Sequence, residues 1–159
     1  MNTQLATLHQ PVSNLTFATT ENPNASFADF QGNIVVLYFY PKDNTPGCTL
    51  EAQDFRDFYS SFKAADVHIL GVSRDSLKSH HHFKEGCALP FPLISDETQA
   101  LCQYFDVLKE KNMYGKKVIS VERSTFLIDR KGVLREEWRG VKVPGHAQAV
   151  LEAAQKQKA

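Results

Sequence analysis

The sequence predicts an α/β fold built on a central, partly parallel sheet with helices packed against it. Three observations carry that prediction. Strand-like and helix-like stretches alternate along the chain, the order that produces βαβ layering. Residues 33–40 (NIVVLYFY) form an apolar run without polar alternation, as expected of a strand covered on both faces. Residues 124–139 read as two strands around the turn Arg130, Lys131, Gly132, and an amphipathic helix closes the chain.

The elements follow in order. The first thirty residues are polar and turn-rich, with Asn22, Pro23 and Asn24 in succession. They are expected to form an N-terminal arm or short edge strands on a single domain spanning residues 1–159. After the strand at 33–40, residues 41–47 (PKDNTPG) are a loop rich in chain breakers. Ala52, Phe55, Tyr59 and Phe62 then fall on one face of a helix. Residues 67–73 (VHILGVS) are a second strand, and 75–85 a helix ended by Gly86. Residues 91–94 are a short strand. Asp96 and Gln99 stand at capping-box spacing and open a helix with Leu101, Phe105 and Leu108 inward. Residues 109–117 read as a polar loop. Ala147, Val150, Leu151 and Ala154 mark the inward face of the last helix.

Composition narrows the function. Eighteen Lys and Arg balance eighteen Asp and Glu, which disfavours a broad basic face for nucleic acid or a polybasic membrane patch. The longest apolar run is far short of the roughly 20 residues that span a bilayer. The first twenty residues carry no Lys or Arg and no long apolar stretch, unlike a secretory signal. The chain is therefore expected to be soluble and cytoplasmic. Three cysteines, Cys48, Cys87 and Cys102, with no CxxC pair, fit neither a secreted disulfide framework nor a zinc ribbon. Single cysteines of this kind are either small buried hydrophobes or reactive thiols.

Cys48 has the setting of a reactive thiol. It follows a buried strand and a tight loop, and ligands of parallel sheets bind beyond the carboxyl ends of the strands. Thr45 is placed to cap the following helix, with Pro46 at its first position. Cys48 then lies in the first turn, where free N–H groups and the helix dipole favour an anion. Gly47 leaves room for a substrate to approach the sulfur.

The pattern Pro41-x-x-x-Thr45-x-x-Cys48 matches the active-site signature of the peroxiredoxins. The stretches YFYPKDNTPGCTLEAQDFRD, ILGVSRDS, PFPLISDE and KNMYGKK followed by ERSTFLIDRKG resemble the peroxiredoxin Q subfamily, also called bacterioferritin comigratory proteins. The likeness runs over roughly residues 30–155. It implies a thioredoxin-like fold, with a mixed central sheet flanked by helices and an N-terminal strand extension. It also implies a thiol peroxidase acting on hydrogen peroxide and organic hydroperoxides, with no cofactor and no metal. Cys48 resembles the peroxidatic cysteine, whose thiolate attacks a peroxide oxygen and becomes a sulfenic acid. Thr45 resembles the hydroxyl that bonds sulfur and peroxide, a use that competes or coincides with helix capping. Arg123 resembles the family's arginine, whose guanidinium holds thiolate and peroxide together. Pro41 would wall the pocket from solvent. Glu51 either orients Arg123 or is a solvated first-turn carboxylate.

The resolving step is where this sequence departs from its relatives. One subtype carries a second cysteine five residues after the first; Gln53 stands there. Another carries it on the next helix, at a position filled by Lys84, and the nearest thiol is Cys87. The reading is a Cys48–Cys87 disulfide recycled by thioredoxin, or by glutaredoxin or a small thiol, in a monomer. The alternatives are a one-cysteine peroxidase recycled by external thiol, or a redox-sensing module without turnover. Cys102, in an amphipathic helix, has the look of a buried, inert thiol.

Other readings fit less well. Adjacent helical residues point about 100° apart, so His80, His81 and His82 cannot all face one ion, and a solvated helix face is expected for them. A papain-like hydrolase needs a histidine beside Cys48. His68 falls in a buried-looking strand and His146 at a helix start. A thioredoxin-like disulfide reductase needs a partner cysteine three residues from Cys48.

Overall fold

The computed structural model describes residues 5–158. Strands β1 (Thr16–Thr19) and β2 (Ala25–Ser26) come first, followed by a 3-10 turn at Phe27–Phe30 and by β3 (Ile34–Phe39). Helices α1 (Pro46–Asp57) and α2 (Tyr59–Ala64), strand β4 (Val67–Ser73), helix α3 (Leu77–Gly86) and strand β5 (Leu93–Ser95) complete the first half. Helix α4 (Ala100–Tyr104), strands β6 (Leu108–Met113), β7 (Lys116–Val121), β8 (Ser124–Ile128) and β9 (Leu134–Arg139), and helix α5 (His146–Lys158) follow.

Seven strands form one mixed sheet in the order β2-β1-β5-β4-β3-β8-β9. The β3–β4 and β4–β5 pairs are parallel; β1–β5, β3–β8 and β8–β9 are antiparallel. This is the thioredoxin-like arrangement with an N-terminal strand extension. Every residue of β3 is buried, because both faces of the sheet are covered. Alternation along it feeds two cores. Ile34, Val36 and Tyr38 join Ala52 and Phe55 of α1, Phe62 of α2 and Val150 and Ala154 of α5. Val35, Leu37 and Phe39 face Phe17, Leu101, Phe105, Val121 and Phe126 on the other side.

Four expectations need correction. The helix carrying Ala52, Phe55, Tyr59 and Phe62 breaks at Phe58, whose ψ of 4° leaves the helical range, so α2 is a separate short helix. The helix opened at Asp96 is only Ala100–Tyr104. Gln99 adopts a left-handed conformation (φ 65°), and Asp96 instead accepts hydrogen bonds from the Leu101 and Cys102 amides. Leu108 therefore opens a strand rather than extending the helix. The polar loop at 109–117 is a two-stranded hairpin, β6–β7, turned by Tyr114 and Gly115, both at positive φ (52° and 79°) as a type I′ turn requires. Finally, His68 is the exposed residue of β4, its ring edge-on to Phe30.

Candidate active site

The loop after β3 ends where α1 begins, on the face of the sheet shared by α1, α2 and α5. Asn44 takes a left-handed turn (φ 62°), Thr45 is extended at the helix N-cap (φ −88°, ψ 152°), and Pro46 occupies the first turn. Proline has no N–H to lose there, and its fixed φ suits the start of a helix. Cys48 follows in the first turn with 1% of its surface exposed.

Arg123 arrives from the other half of the sequence, in the link between β7 and β8. Its Nη2 donates to Cys48 Sγ at 3.4 Å, and its Nη1 donates to Glu51 Oε1 at 2.6 Å. One planar guanidinium thus spans the thiol and a carboxylate one helical turn apart on α1. The approach depends on Gly47: a Cβ there would lie 3.1 Å from Arg123 Nη2. The space expected for substrate at Gly47 is taken by the arginine.

Glu51 is buried, not solvated, with 1% of its surface exposed. Among the described residues its Oε2 has no hydrogen-bond partner. Burial pushes its carboxyl up to about 7, against the opposing pull of Arg123. Burial alone would lower the Arg123 pKa, but the charges of Glu51 and Cys48 raise it above its ordinary value, so the guanidinium stays a cation.

Of the remaining predicted residues, Pro41 is half-buried at the start of the loop. Thr45 makes no side-chain capping bond; its hydroxyl donates to the Lys42 carbonyl at 2.8 Å. Among the described residues the hydrogen bond to Sγ comes from Arg123, not from Thr45. Cys87 is the C-cap of α3, half-buried and packed against the core that contains Cys48. Its carbonyl accepts from Arg56 Nη1 of α1 at 2.8 Å, and burial raises its thiol pKa. All three cysteines are free thiols. Cys102 is buried, and burial, followed by the neighbouring Asp96, pushes its pKa well up.

Two histidines, His80 and His146, are buried. His80 is fully buried, not part of a solvated face, whereas His81 and His82 are exposed. It contacts Asp43 of the Cys48 loop. The signal was its i, i+3 spacing from Phe83, which puts both on the inward stripe of α3. His146 is buried between Phe55 and Trp138, with Nε2 2.7 Å from Thr125 Oγ1. Burial and then the Arg123 charge lower its pKa to about 4.

The chain is similar to known proteins over most of its length. Residues 8–137 match the AhpC/TSA family. The Peroxiredoxin Bcp of Xanthomonas campestris is 57% identical over 122 residues, 77% of this chain and 76% of that protein. The Peroxiredoxin Bcp of Bacillus subtilis is 52% identical over 125 residues, 79% of this chain and 80% of that protein. A solved structure of the Xanthomonas campestris bacterioferritin comigratory protein, from work on its alkyl peroxide reduction activity, superposes with a TM-score of 0.89 at 46% identity, covering 97% of this chain and 99% of that one.

Proposed function

The chain belongs to the AhpC/TSA family as a thiol peroxidase of the peroxiredoxin Q/Bcp type, and from that premise we propose that Cys48 is its peroxidatic cysteine. The observation that carries this reading is the Arg123 guanidinium, hydrogen-bonded to Cys48 Sγ and fixed by Glu51. A thiolate beside a permanent cation in a helix first turn is a stabilised nucleophile. The thiolate attacks the terminal oxygen of a hydroperoxide, the O–O bond breaks, and water or an alcohol leaves after taking a proton. Sulfur is oxidised to sulfenic acid and the peroxide is reduced. The transition state spreads negative charge over both oxygens, so donors already aimed at that volume matter most. Arg123 supplies them, and the Thr45 hydroxyl joins it once it turns from the Lys42 carbonyl. Pro41 shields the loop from water. The relative studied for alkyl peroxide reduction supports organic hydroperoxides alongside hydrogen peroxide as substrates.

For the second half-reaction the reading is attack by the Cys87 thiolate on the sulfenic sulfur, with loss of water and formation of a Cys48–Cys87 disulfide. A dithiol of the thioredoxin class, or glutaredoxin or a small thiol, reduces it and is itself oxidised. Cys87 ends α3 and Cys48 begins α1, so both ends must loosen for their Cα atoms to come within about 7 Å. Peptide mapping after one equivalent of hydrogen peroxide tests this. The expected result is a Cys48–Cys87 peptide, and slowed recycling in Cys87→Ser. No such peptide, with Cys87→Ser turning over at the wild-type rate with thioredoxin, makes a one-cysteine mechanism recycled by external thiol the correct account.

A further inference from the structure

The loop that presents Cys48 is tied to α3 by a buried polar cluster outside the catalytic contacts. Asp43 lies two residues before Thr45 and is 4% exposed. Its Oδ1 accepts from the Tyr40 hydroxyl at 2.6 Å, and its Oδ2 accepts from the Ser79 hydroxyl at 2.8 Å. Its Oδ2 also lies 2.7 Å from His80 Nδ1. The other ring nitrogen, His80 Nε2, lies 2.9 Å from the Ile94 carbonyl oxygen. Both ring nitrogens therefore face acceptors, and the ring is held at both ends. The Asp43 amide in turn donates to Asp75 Oδ2 at 2.9 Å. A carboxylate buried to this degree is held by fixed donors or it is expelled. Here the donors are Tyr40, just after β3, and Ser79 and His80 of α3, so the position of residues 41–48 is set by α3 as much as by their own helix.

We propose that His80 is a positioning residue for the peroxidase reaction: through Asp43 it fixes the 41–48 loop so that Cys48 Sγ stays within reach of Arg123. The guanidinium contact to Sγ is 3.4 Å, so a loop drift of about 1 Å carries the sulfur out of hydrogen-bond reach of Arg123. Misplacement of reacting groups by about 1 Å costs on the order of 10²-fold in rate. His80 touches neither sulfur nor peroxide and acts only through Asp43.

The inference rests on Cys48 being the attacked thiol, and the test separates the two. The full-length reduced protein is mixed with hydrogen peroxide, quenched with an alkylating reagent, and loss of the Cys48 thiol is timed by mass. His80→Ala is expected to slow that loss at least about tenfold. His80→Asn keeps a donor at the place of Nδ1 and is expected to recover to within about threefold of wild type. His80→Phe refills the volume without a donor and is expected to regain thermal stability but not rate. The proposal is overturned if folded His80→Ala reacts at the wild-type rate, or if His80→Phe restores the rate as fully as His80→Asn. Should His80→Ala not fold, Tyr40→Phe and Ser79→Ala each remove one bond to Asp43. Slower Cys48 oxidation in both supports the proposal, and wild-type rates in both overturn it. A wild-type protein that keeps its Cys48 thiol would overturn this proposal and the reading beneath it together. Equal rates in wild type and His80→Ala would overturn this proposal alone.

Discussion

Arg123 Nη2 sits 3.4 Å from Cys48 Sγ although the two residues are 75 positions apart in the chain. The β3–β8 pairing produces this meeting. Phe39 at the end of β3 pairs with Ser124, so the residue before Ser124 is brought beside the loop that follows β3.

Replacing Arg123 with Ala is expected to slow peroxide reduction by about 10²–10³, the usual loss for one preorganised donor to developing negative charge. It also strands Glu51, which is buried and whose Oε1 has no other hydrogen-bond partner among the described residues. Removing one member of a buried ion pair costs about 3–5 kcal/mol. Because Glu51 takes up a proton readily, the penalty is expected to be smaller at pH 6 than at pH 8. Stopped-flow peroxide kinetics and urea unfolding at the two pH values check both halves.

Much of this was legible in the sequence, for identifiable reasons. The buried strand β3, the helices α1, α3 and α5 and the β8–β9 hairpin each carry an apolar pattern of the right period. The β6–β7 hairpin was not legible because most of its residues are exposed, so no burial alternation marks it. Its turn residues Tyr114 and Gly115 were the one local sign. The capping spacing at Asp96 predicts a longer helix than the one that forms, because Gln99 turns left-handed and Asp96 caps Leu101 and Cys102 directly. In the site, Cys48, Thr45 and Pro41 share one loop and one motif. The burial of Glu51 and of His80 depends on what lies across from them, which spacing along one helix does not reveal.

Glu51→Gln is expected to change how stability varies with pH. The Glu51 carboxyl rises from 4.5 to about 7 in the folded state, chiefly by burial. Between those values the native state holds a proton that the unfolded chain has released, so wild-type stability falls as pH rises through this window. The full effect is on the order of 3 kcal/mol. Gln stays neutral throughout. The variant should match wild type near pH 4.5 and gain on it toward pH 8. Unfolding free energies that run parallel across this range would contradict the buried carboxyl.

His146 should act in the opposite direction. Its pKa falls from 6.5 to about 4 in the folded state, first by burial and then through Arg123. The unfolded chain therefore takes up a proton between these values that the native state refuses, and stability is lost as pH falls from 6.5 toward 4. His146→Gln removes that titration. It is expected to be less stable than wild type at pH 7, from lost packing against Phe55 and Trp138, with the gap closing by pH 4.5. An unchanged gap would mean that His146 titrates alike in both states.

The most direct test of the account is peroxide consumption by Cys48→Ser, measured over many turnovers with excess hydrogen peroxide and a thiol reductant. Cys48 is the thiol joined to Arg123, and neither Cys87 nor Cys102 has a comparable cation bonded to its sulfur among the described residues. The account predicts that the wild-type protein reduces many equivalents while Cys48→Ser, folded and of normal thermal stability, falls to the rate of reductant alone. A folded Cys48→Ser protein that keeps more than roughly a tenth of wild-type turnover, far above the loss expected when a nucleophile is removed, would contradict it.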